Sequence, residues 1–391
     1  MPALGKGAAM IDREIRIAEV LPPIARAARL AACLLLVSGM AQAEGAAAKG
    51  FVVTSFALAS HDGGPADCPD GLNMSAKDIY LQGLPADERE RLSKPEAAKE
   101  LMAALYAPGG NRGPGKRTHN RCADPQDFDS PPLRTIRGKI ADGMALDPDN
   151  APNTCSHTKF TSPDGQPGID NQLWRAMGCI RGWRGGADIE KYAHDNIRAG
   201  EYTILLEIEG MTDPRNDAHI RVGIYSSGDQ ASVDASGNVL PDSSLQIHDD
   251  PRYRAVADGR VVDGVITTEP LDVRLNYRSA GYVDTDFYIR GARLRLELQP
   301  DGGVKGMIGG YYDVETLYDG FVRQPQVITS VLLSYSCPAV YSALNSLADG
   351  YPDPKTGKCG AISTAYRLEA IPAFVIHPKD QKTKTAQAAP R

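Results

Sequence analysis

Four residues in the second half of the chain, Tyr282, Asp284, Asp286 and Tyr288, recur at every second position. In an extended segment they share one face of a sheet, because side chains alternate with a period of two. Tyrosine rings stack on sugar faces, and carboxylates hydrogen-bond hydroxyls or act as general acid and base. Carboxylates two positions apart on a strand lie about 7 Å apart at the backbone. That separation fits either glycosidase geometry, so spacing alone does not choose between binding and hydrolysis. The plainer reading of the same stripe is a wet sheet face. Tyr311 and Tyr312 follow Gly309-Gly310 and point to opposite faces, which predicts one core ring and one ligand-facing ring.

A second group lies in the segment Cys155–Cys179, which carries Asp164, Asp170, Asn171 and Trp174, with Asp147, Asp149 and Asn150 just before it and Trp183 just after. Oxygen ligands in turns are what calcium takes, so calcium is the metal this stretch suggests. The order departs from an EF-hand loop, and Asp and Asn beside Gly and Pro equally form turns by bonding their own backbone. Trp174 and Trp183 offer sugar platforms, although Trp183 lies between Arg181 and Arg184 and suits a cation–π stack as well.

Other chemistries lack their residues. There is no Cys-x-x-Cys and no His-Glu-x-x-His, so zinc has no support from spacing, and no Cys-x-x-Cys-His for haem. The histidines are scattered and no Gly-x-Ser-x-Gly elbow is present. The loop 108–121 is rich in glycine, proline and basic residues but lacks the order that cradles a nucleotide phosphate.

These residues must be positioned by an exported, mainly β chain. Residues 1–43 read as a leader and signal peptide: Arg26 and Arg29, then the apolar run Leu30–Met40, then Ala41-Gln42-Ala43. The run is too short for a spanning helix, which needs about 20 residues. The full chain of 391 residues has 43 basic and 49 acidic side chains; without the leader's five and three, 38 basic and 46 acidic remain. An acidic chain with no basic block does not suit a phosphate backbone, so no nucleic-acid partner is expected. Cys68, Cys122, Cys155, Cys179, Cys337 and Cys359 predict three disulfides in an oxidising compartment. Short loops close most readily, which favours 68 with 122, 155 with 179, and 337 with 359.

Strand-like alternation runs through residues 51–58, 135–146, 201–208, 219–225, 260–268, 272–277, 287–298, 304–312 and 366–376. Gly, Pro and Asp turns separate these stretches, including Asp263-Gly264 and Pro300-Asp301-Gly302-Gly303. Ser93-Lys94-Pro95-Glu96 reads as a capping box opening a helix, and Ser336-Cys337-Pro338 opens another. Together these predict a mainly β fold, an antiparallel β-sandwich or jelly-roll-like core with helical segments near both ends, pinned by disulfides. The expected divisions are the leader 1–43, a strand, helix and loop region 44–130, the β core 131–325, a helix and closing strand 326–377, and a disordered tail 378–391. The expected function is a soluble, exported, non-catalytic binding module for a glycan or cell-envelope component. A carboxylate-dependent glycan hydrolase and an accessory subunit of an envelope complex are the alternatives. Nothing in the sequence indicates an oligomeric state.

Overall fold

Why the strands begin and end where they do follows from their inward residues, described here for residues 48–105, 122–146, 155–185, 188–279, 283–323 and 335–378 of a computed structural model. The leader, the loop 108–121, Asp147, Asp149, Tyr282 and the chain beyond 378 lie outside the described residues. Strands β1 (Lys49–Leu58), β4 (Ile204–Glu209), β5 (Asp217–Ser226), β7 (Arg254–Val262), β8 (Val265–Thr268), β10 (Val283–Leu298), β11 (Val304–Asp313) and β13 (Cys359–Ile376) follow one another across an antiparallel sheet. Strand β9 (Leu271–Ser279) continues from β8 and pairs with the first part of β10. The mainly β, antiparallel, disulfide-pinned class expected from the sequence is what forms, with helices at both ends.

The sheet also returns on itself. Strand β1 pairs with β4 on one side and with β13 on the other, so opposed walls face each other across a shared core, as the layers of a sandwich do. Phe56 on β1 meets Phe287 on β10 edge-on at 5.3 Å, although two strands separate them around the sheet. Tyr366 stacks on Phe56 at 5.0 Å and meets Phe287 at 4.8 Å, while Tyr312 closes on Phe287 at 5.1 Å. Leu294, Leu296, Val304, Ile308 and Leu368 fill the rest. Gly306 and Gly310 let β11 lie close against β10, because a Cβ at the first would lie 2.2 Å from the Arg295 carbonyl oxygen and at the second 2.4 Å from Ile289 Cγ2.

Strand β13 is the hinge of the closure. It pairs with β11 along residues 361–370 and with β1 along residues 366–372. Pro372 has no N–H to give, and at that point the strand leaves β1. Its last residues run parallel to β6 (Ser243–Gln246) across the outside of β1. Gly50 permits this crossing, since a Cβ there would lie 2.5 Å from the Ala373 carbonyl oxygen.

The helices pack outside. Helix α1 (Ala76–Gln82) opens with a capping box between Ser75 and Asp78. Helix α2 (Ala86–Leu92) ends at Ser93, and α3 (Ala98–Leu105) begins after a single 3-10 turn. Ser93 therefore closes a helix where the sequence pattern suggests that it opens one. Residues 135–146, expected as a strand, contribute only isolated bridges, Ile140 with Thr161 and Met144 with Asp170. They belong to a second core built from Ile136, Ala141, Phe160, Ile169, Trp174 and Cys179. Among the described residues no helix is long and apolar enough to cross a membrane.

The six cysteines form three disulfides, but not the expected pairs. Cys68 joins Cys179, Cys122 joins Cys337 and Cys155 joins Cys359, with Cα separations of 5.8, 5.0 and 5.9 Å. Loop-closure entropy ranks pairings only in a featureless chain. Here β13, which carries Cys359, and the helix α7 (Cys337–Ser346) bring distant cysteines together first.

Candidate functional site

The outer face of β9 and β10 carries the stripe that the sequence singles out. Val273, Leu275, Phe287 and Ile289 turn inward, which sends Asp272, Arg274 and Asn276 of β9 and Asp286 and Tyr288 of β10 outward. Cross-strand pairing sets Arg274 opposite Tyr288 and Asn276 opposite Asp286. Asp284 is opposite Arg278 along the same ladder. The Arg274 guanidinium stacks 4.0 Å from the centre of the Tyr288 ring and reaches Asp286 Oδ2 at 2.9 Å.

Asp286 organises the centre of this face. Tyr253 donates its hydroxyl to Oδ1 at 2.8 Å, and Arg252 approaches Oδ2 at 3.4 Å. Burial, then the hydrogen bond to Asp286, pushes the Tyr253 hydroxyl up to about 12. Arg252 in turn lies 5.0 Å over the Tyr253 ring and is anchored by Asp250 at 2.9 Å. Both oxygens of Asp286 are thus committed to protein donors, which suits a positioning role better than proton transfer. Tyr288 donates to Asp272 Oδ2 at 3.1 Å, and Asp272 Oδ1 accepts from the Gly291 N–H at 2.9 Å.

A third stack extends the row. Arg290, two residues beyond Tyr288 on β10, lies 3.6 Å from the Tyr351 ring centre. Tyr351 belongs to β12 (Gly350–Pro352), which pairs with the start of β13. Its φ is +53°. For a bulky side chain that left-handed conformation costs about 1–2 kcal/mol, and it persists only where the surroundings enforce it. Tyr351 remains 37% exposed despite its contacts with Arg290 and Tyr311. Burial, followed by the nearby Asp272 carboxylate, raises its hydroxyl.

The other residues expected at a site have structural surroundings. Trp174 is 1% exposed and forms the middle of the second core, and Trp183 is partly buried against the main core. Tyr312 fills the sheet interior, while Tyr311 packs with Leu146 and Ala361 on the outside. Both tyrosines are buried. Asp170 is buried, and its Oδ2 accepts from Lys159 Nζ and from the Leu146 N–H, each at 3.0 Å. Asn171 caps α4 (Gln172–Met177) through the Trp174 N–H and donates to the carbonyls of Ala59 and Asp142. Asp164 bonds Ser162 in an exposed turn.

Sequence patterning misses Arg252, Tyr253, Arg274, Arg290 and Tyr351. Arg274 and Arg290 were within reach, since each continues a period-two stripe on its own strand. Arg252, Tyr253 and Tyr351 come from segments that only the folded sheet brings alongside.

No protein-family model matches the chain, and neither a curated protein nor a solved structure is significantly similar to it.

Proposed function

We propose that this chain is an exported, non-catalytic binding protein whose β9–β10 face takes a saccharide of the cell envelope. The observation that carries the reading is the row of three arginine-on-tyrosine stacks, Arg252 with Tyr253, Arg274 with Tyr288 and Arg290 with Tyr351. The partly exposed rings of Tyr288 and Tyr351 offer apolar faces to pyranose C–H groups, and the buried Tyr253 holds Asp286 in place. Guanidinium N–H groups and carboxylate oxygens offer donors and acceptors to hydroxyls. Arg252 is met by Asp250 and Asp286 and Arg274 by Asp286, while Asp272 accepts from Tyr288 beside them, so the face carries three arginines and three carboxylates. A face balanced in this way suits a neutral, hydroxyl-rich ligand better than a polyanion. The interior of the sheet is packed with aromatic side chains, which leaves the outer surface for recognition. Three disulfides and the leader support export.

The test is a saccharide panel screened with the wild type and with Tyr288→Ala, Tyr351→Asn and a remote control, Arg91→Ala. Loss of one stacked ring is expected to weaken binding by about tenfold, from about 1–1.5 kcal/mol per stack. The control should bind as the wild type does. Equal binding by Tyr288→Ala and the wild type, or hydrolysis of a bound saccharide, would refute the proposal.

A further inference from the structure

A second cluster lies elsewhere on the fold, where the end of β13 crosses the outside of the sheet. Glu207 and Glu209 alternate on β4 and so project to the same side. His377 follows β13 directly. One ligand atom from each of the three comes within 4.8 Å of the other two. The Glu207 side chain is only 6% exposed, yet it is a carboxylate on a wall otherwise made of Leu205, Leu206 and Ile208. A buried carboxylate needs compensation by cations or donors. His377 Nε2 lies 2.7 Å from Glu207 Oε2, and the Tyr225 hydroxyl donates to the same oxygen at 3.3 Å. Both contacts fall on Oε2. The His377 ring is held edge-on to Tyr225 at 6.0 Å.

We infer that Glu207, Glu209 and His377 form a binding site for a divalent transition-metal ion of the zinc class. One imidazole nitrogen with carboxylate oxygens suits such an ion, whereas calcium and magnesium prefer shells of oxygen alone. At metal–ligand distances of about 2.1 Å, tetrahedral donors stand about 3.4 Å apart. Rotations of the half-exposed Glu209 and His377 side chains would reach that spacing, with His377 Nε2 withdrawing from its 2.7 Å contact with Glu207 as the ion takes its place. Water completes the shell from the solvent side, and Tyr225 steers the Glu207 carboxylate from beneath. Arg221 competes for Glu209 at 3.4 Å, but both partners are exposed, at 60% and 36%, and such a pair separates at little cost. The site is distant in sequence from any motif, because β4 and the end of β13 supply its ligands.

The experiment is a calorimetric titration of the full chain with zinc chloride, repeated with His377→Ala and Glu209→Gln. His377 is 53% exposed, so its replacement leaves the fold intact, which circular dichroism checks. Binding of one zinc equivalent is expected, weakened at least tenfold in each variant, with calcium chloride giving no heat at this site. Zinc binding unchanged in His377→Ala would overturn the inference. So would an absence of zinc binding by the wild type, or displacement of bound zinc by equimolar calcium.

Discussion

Removing the Cys68–Cys179 bridge should loosen one part of the molecule before the rest. The bond spans 111 residues. Loop-closure entropy for a bridge of that span gives about 4.8 kcal/mol at 25 °C, and measured losses run at about 2–5 kcal/mol. Cys179 is fully buried in the second core, beside Trp174. The chain contains only two tryptophans, and both lie near this bridge, at Trp174 and Trp183. Trp183 packs against the main core, so in a Trp183→Phe background emission from Trp174 reports on the second core, while far-ultraviolet circular dichroism reports mainly on the sheet. In Cys68→Ala/Cys179→Ala on that background the fluorescence transition in urea should move to lower denaturant and separate from the dichroism transition. The main sheet keeps the Cys122–Cys337 and Cys155–Cys359 ties. Peptide mapping of the unreduced wild type should yield a fragment joining Cys68 to Cys179. A fragment joining Cys68 to Cys122, or coincident transitions with an unchanged midpoint, would refute the reasoning.

Two further outcomes follow from local geometry. Gly50→Ala places a methyl 2.5 Å from the Ala373 carbonyl oxygen and 2.9 Å from Val375 Cγ2, so the crossing end of β13 must shift. A stability loss of about 1–3 kcal/mol by urea denaturation is expected, together with faster hydrogen exchange at residues 373–376, and protection equal to the wild type there would contradict it. Asp217 accepts from the N–H groups of Thr212 and His219 and from the Thr212 hydroxyl, which hold its carboxyl down to about 2 from an ordinary 3.8. Because the folded value is the lower one, its stabilising contribution is complete above pH 3.8 and disappears as the pH falls through about 2. Carboxyl carbon shifts should show Asp217 titrating near the lower value, and Asp217→Asn should flatten the acid limb of the stability profile; a midpoint near 4 would contradict the assignment.

Local pattern makes much of this molecule legible. Leu294, Leu296 and Leu298 alternate with charged neighbours, and that period of two gives β10 and its inward face directly. Asp263-Gly264 forms the turn between β7 and β8, with both residues at positive φ, because a tight hairpin needs that backbone and these residue types tolerate it. Cysteine content announces three bridges, and the stripe of Asp286 and Tyr288 marks an outward face. Helix starts are less secure. Ser93 carries the pattern of a cap, but the box forms at Ser75 and Asp78, where the packing of α1 against its neighbours decides the matter.

What the chain alone determines is therefore its alternation, its turns, its cysteine count and the polarity of each strand face, all properties of residues within a few positions of one another. Closure of the sheet is of another kind. It depends on β1 meeting β13 across more than three hundred residues, and an alternating strand reads the same in an open sheet and in a closed one. The meeting of Glu207 with His377 follows from that closure, since β4 and β13 both pair with β1. The cysteine partners and the third arginine–tyrosine stack at Tyr351 come from other long-range packing, that of the second core, the helices and β12. Each joins segments whose nearness is decided by burial summed over the whole fold, a free energy absent from any short stretch of it.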